Sequence, residues 1–194
     1  MSLILRSSAS ALTVVPLDDA KEHLRVDYSD EDPLITSLIE SAVEWVEEYC
    51  AQDFREREWR MERKDTFYSL IFPRGPVKSV EQVGTREDIF EPDTIALIAP
   101  TEYVLLPETR TKAAALYFRH DAWSALPPPD GERGVIVDFT TGWDPVPAPV
   151  KSACLLHIST LFHAREDQIL TTNAMPSQLG IERLLAMYRV PHYR

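Results

Sequence analysis

The sequence of 194 residues contains little cysteine, little glycine and few basic side chains. Its two cysteines, Cys50 and Cys154, are too few for a disulfide framework or for a zinc site made of thiolates alone, so we expect a reduced, cytosolic setting. None of its six glycines falls at the spacing of a phosphate-binding loop, which argues against the common nucleotide-binding folds. No stretch reaches the roughly 20 apolar residues that a membrane-spanning helix needs, so a membrane protein is not expected.

Acidic side chains outnumber basic ones by 31 to 20, which gives a formal net charge of −11. This balance argues against a free-standing DNA or RNA binder, because such proteins gain affinity from Lys and Arg side chains that neutralise phosphates. The charge is also uneven. Residues 17–58 hold 14 acidic and 4 basic side chains, whereas residues 176–194 hold 1 acidic and 3 basic ones. An acidic segment and a basic end on one chain suggest self-association or docking to a charged surface.

Apolar residues recur with the period of a helix near both ends of the chain. The longest pattern follows Ser29 and Asp30, either of which is a suitable N-cap, and it carries Pro33 in the first turn, where proline is tolerated. The predicted helices cover residues 17–25, about 30–52, 150–165 and 176–190.

The middle of the chain has the composition of strands and turns. Its apolar runs are rich in β-branched and aromatic residues and are bounded by proline and glycine. Residues 1–12 are small and polar after the first few and predict a flexible arm, while residues 84–130 are long and irregular. Strands are predicted at Glu58–Arg63, Thr66–Phe72, Val77–Val83, Tyr103–Leu106 and Gly134–Thr140. Ala113–Arg119 could be a helix or a strand, and its aromatic residues favour a strand.

These elements together predict an α+β fold in a single domain of residues 1–194. Helices from residues 13–54 and 147–190 are expected to form a mainly α-helical bundle. Residues 55–146 are expected to be a β-rich insertion between the two halves of that bundle. No internal repeat is present, which excludes the repeat architectures.

The motifs of common enzymes are missing from the sequence. It has no G-x-S-x-G nucleophile elbow and no H-E-x-x-H zinc motif. Cys154 and His157 lie three residues apart on one predicted helix and could present two metal ligands or a thiolate–imidazole pair. Burial in the core is the favoured interpretation, because free cysteine is among the most buried residue types. The alternative is a metal-dependent hydrolase that uses Cys154 and His157 or the acidic helix face described next.

Four glutamates share one side of the long predicted helix. The favoured interpretation is a solvated helix face, and a metal or acid–base cluster is the alternative. A third interpretation is a surface that DNA passes without binding. These residues are Glu40, Glu44, Glu47 and Glu48.

The four tryptophans are spread over separate segments, and for them we favour packing over partner contacts. They are Trp45, Trp59, Trp123 and Trp143.

Three stretches of the sequence, in this order and spacing, resemble one protein family. Residues 15–27, VPLDDAKEHLRVD, resemble its opening helix, and residues 30–42, DEDPLITSLIESA, resemble the acidic start of its long second helix. Residues 135–143, VIVDFTTGW, followed by Pro147, Pro149 and the next helix, resemble its closing strand and turn. The family is that of the head–tail connector, or adaptor, proteins of tailed bacteriophages, prophages and gene transfer agents. Pro16 departs from the pattern, since a serine or threonine cap is common there.

The resemblance implies a structural role rather than catalysis. Such proteins are expected to combine a small helical bundle with a β-rich extension and to need no cofactor or metal. They assemble as a ring under the portal, match its twelvefold symmetry, continue the DNA channel and dock the tail. The implied partners are the portal protein, a tail-side connector or stopper protein and further copies of the chain, while DNA passes without specific binding. The implied location is the head–tail junction of the virion, after assembly in the host cytoplasm.

The basic end of the chain is the predicted portal-binding segment. Its charge and tyrosines suggest that deleting residues 176–194 leaves the fold intact but weakens portal attachment. The other open interpretation of the charge pattern is an acidic protein that mimics DNA or binds a basic partner. The predicted portal-binding residues are Leu184, Tyr188, Arg189, Tyr193 and Arg194.

Overall fold

The computed structural model describes residues 2–63, 69–86, 95–107, 113–119, 135–163 and 175–190, and it combines helices with antiparallel sheets. The predicted α+β class is therefore confirmed. The chain divides into two compact units, each with its own hydrophobic core. The β unit comprises Met1–Ser8 and Glu56–Gly142, and the helical unit comprises Ala9–Arg55 and Trp143–Arg194.

The helical unit contains a short 3-10 helix, Ala11–Thr13, and four α-helices: α1, Leu17–Leu24; α2, Asp32–Cys50; α3, Ala148–His163; and α4, Met175–Leu185. Helix α2 packs against α3, and α3 packs against α4. The core between them is formed by fully buried side chains spaced at helical intervals on each helix. On α2 these include Ile35, Ile39, Val43 and Val46, and on α3 they include Val150, Ala153, Cys154 and Ile158.

Helices α1 and α2 begin and end for local reasons. Asp18 and Asp19 lie in the first turn of α1, where the helix dipole favours anions. Pro33 lies in the first turn of α2, but the N-cap is Glu31 and makes no side-chain cap bond, so the predicted capping by Ser29 or Asp30 is wrong. Both helices end with a non-glycine residue in the left-handed region, Arg25 with φ 59° and Ala51 with φ 54°.

The β unit contains two antiparallel sheets, whose strands are β1, Ser2–Ser8; β2, Arg57–Arg63; β3, Ser69–Ile71; β4, Val77–Arg86; β5, Ile95–Leu97; β6, Tyr103–Leu106; β7, Ala115–Phe118; and β8, Val135–Thr141. The five-stranded sheet has the order β1-β2-β8-β4-β5, and the three-stranded sheet has the order β3-β7-β6. One core draws on both sheets, with Met61, Val137 and Phe139 from the first and Leu70 and Leu116 from the second.

Two predictions about the chain ends are wrong. Residues 2–8 are not a free arm but form the edge strand β1, which pairs with β2 from Ser2 opposite Glu62 to Ser8 opposite Arg57. Strand pairing of this kind depends on a partner far away in sequence, so local composition did not reveal it. The last helix ends at Leu185 rather than near Pro191, and residues 186–188 form a hydrogen-bonded turn.

The tryptophans inside the described ranges contribute to packing, as predicted. Trp45 stacks on Tyr49 with ring centroids 5.2 Å apart. The indole N–H of Trp59 donates to Thr141 at 3.1 Å, and that of Trp143 donates to Gln52 at 3.0 Å. Trp123 lies outside the described residues.

No helix in the part of the chain that the structure describes is long and apolar enough to cross a bilayer.

Candidate partner-binding surfaces

Arg55 lies just after α2, and its side chain contacts three of the four glutamates that were expected to share one face of this helix. Its guanidinium donates from Nε to Glu47 at 3.1 Å and from Nη1 to Glu40 at 2.9 Å, and it also donates from Nη2 to Glu44. The helix brings the three carboxylates together because residues three and four apart in a helix are neighbours. We call Glu40, Glu44, Glu47 and Arg55 the Arg55 cluster.

Glu47 is completely buried, so the prediction that all four glutamates share a solvated face is wrong. Its Oε1 accepts the backbone N–H groups of Phe54 at 2.9 Å and of Arg55 at 3.0 Å. The carboxylate therefore satisfies the backbone of the turn that follows α2, in addition to pairing with the guanidinium. Of the other three glutamates, Glu44 and Glu48 are exposed and Glu40 is half-buried.

The charges of the Arg55 cluster do not cancel. Three carboxylates meet one guanidinium, so the cluster keeps a negative surplus when all four groups are ionised. Burial lowers the pKa of Arg55, but the charges of Glu47, Glu44 and Glu40 outweigh it, so that the pKa is raised and the cation is retained. Glu40 also accepts the backbone N–H of Ala11 at 3.1 Å and thereby ties the 3-10 helix to α2.

The segment after α4 returns to the C-terminal end of α2. Val190 donates its N–H to the carbonyl of Cys50 at 3.0 Å, and the Arg189 guanidinium lies 5.3 Å from the centre of the Tyr49 ring. The position of a cation and an N–H donor at this end is favourable, because helix carbonyls there lack partners and carry a partial negative charge. No local sequence pattern signals this docking, since the contacts join residues about 140 positions apart in the chain.

Two of the predicted portal-binding residues are packing residues. Leu184 packs against the helical core, and the Tyr188 ring meets Phe54 and Trp143 edge-on at 6.2 and 5.9 Å. Arg189 is exposed, and Tyr193 and Arg194 lie outside the described residues.

The last segment is also not dispensable for the fold. Ile181 and Leu185 of α4 are buried in the helical core, which contradicts the expectation that residues 176–194 can be removed without harm.

The Cys154–His157 pair has the properties of core residues. Cys154 is completely buried, and burial raises the pKa of its thiol to about 12, which disfavours the thiolate that a nucleophile or metal ligand requires. The His157 ring stacks on Trp45 with centroids 4.7 Å apart, and burial lowers its pKa. Among the residues that the structure describes, no group of three or more His, Cys, Asp or Glu is arranged to hold a metal ion.

Asp138 forms a second charged centre, in the β unit, that was not predicted from the sequence. It accepts from Arg60 through two bonds of 2.8 Å, from Arg6 at 2.9 Å and from Gln82 at 2.6 Å. Burial raises the pKa of its carboxyl, but these hydrogen bonds and charges lower it by more. The signal was an aspartate inside the apolar run Val135–Phe139, where a buried charge needs partners.

The partners of Asp138 come from β1, β2 and β4, so one carboxylate links four strands of the five-stranded sheet. It also borders a cavity of about 830 Å3. Because the donors around Asp138 are satisfied by that carboxylate, the arrangement explains sheet cohesion without a ligand.

Residues 15–84 match the model of the phage gp6-like head–tail connector protein family. The matched residues run from just before α1 into β4 and include α2, Arg55 and the β2 strand. The family resemblance inferred from the sequence is thereby confirmed. No match was found among curated proteins.

Solved structures of gene transfer agent (GTA) particles contain chains of similar fold. A chain of the neck of an empty GTA particle, computed with C6 symmetry, superposes with a TM-score of 0.78 at 21% identity. A chain of the virion of the native GTA particle superposes with a TM-score of 0.77 at 20% sequence identity. A chain of the neck of the native GTA particle, computed with C12 symmetry, superposes with a TM-score of 0.73 at 21% sequence identity. Each match covers 100% of this chain and 98% of the other chain. At such low identity these likenesses establish the fold alone.

Proposed function

We propose that this chain, whose residues 15–84 match the head–tail connector family, is a structural connector that forms a ring under the portal, continues the DNA channel and docks the tail. The family match carries the proposal, and the likeness of the whole fold to GTA neck and virion chains supports it. The role is structural and not enzymatic. This conclusion agrees with the buried thiol of Cys154 and with the stacking of His157 on Trp45.

Self-association in a ring is the second part of the proposal. The similar neck chains come from particles computed with C6 and C12 symmetry, and a ring matched to a twelvefold portal is consistent with both. We infer further partners on the two sides of the ring, the portal protein and a tail-side connector or stopper protein. The chain would then reside at the head–tail junction of the virion, after assembly in the host cytoplasm.

The acidic surface of α2 is proposed to face DNA without binding it. Glu44 and Glu48 are exposed, and the Arg55 cluster adds a negative surplus beside them. A wall of the same sign as the phosphates repels the duplex, so DNA can move past it with little friction.

The segment after α4 is proposed to contact the portal. Leu184 and Tyr188 hold the segment on the helical unit, whereas Arg189, with Tyr193 and Arg194 beyond it, would supply the contact itself. Its basic charge suits a partner surface of opposite sign.

For the organisation of the chain, we propose that the helices of residues 13–54 and 147–190 form one bundle. Residues 55–146 would be a β-rich insertion in a single domain of residues 1–194. To this organisation the edge strand β1 has to be added, because it belongs to the β unit although it lies at the start of the chain.

A portal-binding experiment tests the proposal. The purified chain is mixed with the portal protein of the same particle, and the mixture is separated by gradient sedimentation. We expect the chain to sediment with the portal. The Arg189→Glu variant, in a chain that stops after Val190, should lose most of this binding, while the matched charge change Arg183→Glu at an exposed position of α4 should keep it. If the unaltered chain never sediments with the portal, the proposed function is wrong.

A further inference from the structure

The three-stranded sheet has one face that is largely apolar. In its register Ile71 of β3 lies opposite Ala115 of β7, which lies opposite Leu106 of β6. In the next row of this face Ser69 of β3 lies opposite Tyr117 of β7, which lies opposite Val104 of β6. We call the apolar residues of this side, Ile71, Val104, Leu106, Ala115 and Tyr117, the outer face of this sheet.

The other side of the same sheet is buried in the core of the β unit. Leu70, Leu105 and Leu116 occupy the alternate positions of the three strands and pack in that core. Successive side chains of a strand point to opposite sides, so the outer face points away from the core.

Four of the five residues of the outer face are exposed large apolar side chains, and Ala115 between them is buried. The exposed fractions are 53% for Ile71, 55% for Val104, 49% for Leu106 and 46% for Tyr117. At roughly 200 Å2 for a fully exposed large side chain, these four present about 400 Å2 of surface. Apolar patches of this size on a protein surface commonly mark an interaction site.

The charge of the chain restricts the surfaces that two copies can share within the proposed ring. Each copy carries a formal charge of −11, so two copies repel each other over most of their surfaces. A contact between copies is therefore favoured where both charge and hydration are low. The outer face meets this condition, because its five residues include no charged side chain in a chain that is 26% charged.

The size of the face also fits a contact within a ring. Stable pairwise interfaces bury about 800 Å2 on each partner, and the outer face offers about half of that. Such a contact is weak between two free copies, but in a ring each copy is held on two sides. A closed ring uses heterologous contacts, in which the face of one copy meets a different surface of the next.

We propose that the outer face of the three-stranded sheet binds a neighbouring copy of this chain in the assembled ring. The inference rests on the proposed function, since that function supplies the ring, and it adds which surface of the chain closes it.

Photo-crosslinking tests the inference. The chain is made with p-benzoylphenylalanine in place of Tyr117, assembled with the portal protein and tail-side protein, and irradiated. We expect a ladder of cross-linked dimers, trimers and larger products of this chain alone, because heterologous contacts link each copy to the next. The same variant irradiated in dilute solution without the portal should give no ladder.

A charge substitution provides the second readout. Val104→Asp should raise the concentration needed for ring assembly by roughly tenfold or more, because the carboxylate would have to be desolvated in the contact. Thr101→Asp is the matched control, at an exposed position just before β6, and should assemble normally. Circular dichroism confirms that both variants fold.

The outcomes separate this inference from the proposed function. If rings form on the portal but position 117 cross-links to the portal or the tail-side protein, or to nothing, the outer face is not the contact between copies. If the unaltered chain forms no ring and does not bind the portal, the proposed function is wrong and this inference is wrong with it.

Discussion

The Arg55 guanidinium donates from Nε to Oε2 of Glu47 at 3.1 Å, although the Glu47 side chain is completely buried. The pair joins the last turn of the longest helix to the turn that leads into the β unit. A buried carboxylate is stable only when paired and hydrogen-bonded, and Glu47 has both kinds of partner.

Glu47→Gln should destabilise the fold by about 3 kcal/mol, because it leaves the Arg55 charge without its innermost partner in a buried site. Urea unfolding followed by circular dichroism measures the change. Glu48→Gln, one residue further along on the exposed side of α2, is the control and should shift stability by about 0.5 kcal/mol or less. Equal effects of the two substitutions would mean that the buried pair has no special role.

Gly84 should be intolerant of a side chain. A Cβ at this position would lie 2.4 Å from Cγ2 of Ile95 and 2.6 Å from the carbonyl oxygen of Ala96, so β5 would have to move away from β4. We expect Gly84→Ala to cost about 1–3 kcal/mol in the free energy of unfolding.

Gly180 offers the matched control for that substitution. It lies in α4, and a Cβ added there would meet no described atom within 4 Å, so Gly180→Ala should stabilise the chain by about 0.5–1 kcal/mol through helix propensity. The melting temperatures of the two variants should therefore move in opposite directions. A shift of the same sign for both would contradict the close approach of β5 to Gly84.

His157 should make stability depend on pH. Burial lowers its pKa in the folded chain below the ordinary value of 6.5, so the unfolded chain binds more protons between the two values. The stability that the folded chain gains from keeping His157 neutral is fully present above pH 6.5. It is lost as the pH falls through the pKa of His157 in the folded chain. The melting temperature should therefore fall as the pH is lowered from about 8 to about 5.

The variant His157→Phe isolates this contribution, because phenylalanine can keep the stacking on Trp45 but cannot be protonated. The difference in melting temperature between the two pH values should be smaller in the variant than in the unaltered chain. An unchanged difference would show that the pH dependence comes from other groups.

Basic residues on α2 should make the acidic surface bind DNA. Ser41 and Glu48 lie on its exposed side, and the double variant Ser41→Lys/Glu48→Lys should retard duplex DNA in a gel at low salt, with the effect lost as salt is added. The unaltered chain and the neutral control Ser41→Gln/Glu48→Gln should leave the DNA unretarded. Retardation by the unaltered chain would contradict a surface that DNA passes without binding.

Local patterns were sufficient for α1, α2 and α3 and for most strands, but not for the end of α4. The period of apolar residues located α1, α2 and α3 to within about two residues, because their buried faces are continuous. The apolar run Val135–Phe139 predicted β8, because this strand is buried along most of its length. Strand β1 could not be predicted, since its pairing with β2 joins residues more than 45 positions apart.

The charged centres were harder to predict than the core. Glu47 lies at the border of the apolar stripe of α2, so its burial depends on whether a cation covers it. That cation, Arg55, follows the helix and has no periodic signal of its own. Likewise, the docking of Val190 on Cys50 depends on the tertiary fold, which explains why the sequence predicts a partner surface rather than packing for Tyr188.

The central claim is that this chain forms a ring on the portal, and electron microscopy of the chain mixed with its portal protein tests it most directly. We expect portal particles that carry an added ring on the tail-proximal side, with an open central channel and density for one helical and one β unit in each repeat. Portal particles without added density, with the chain remaining free in solution, would contradict it.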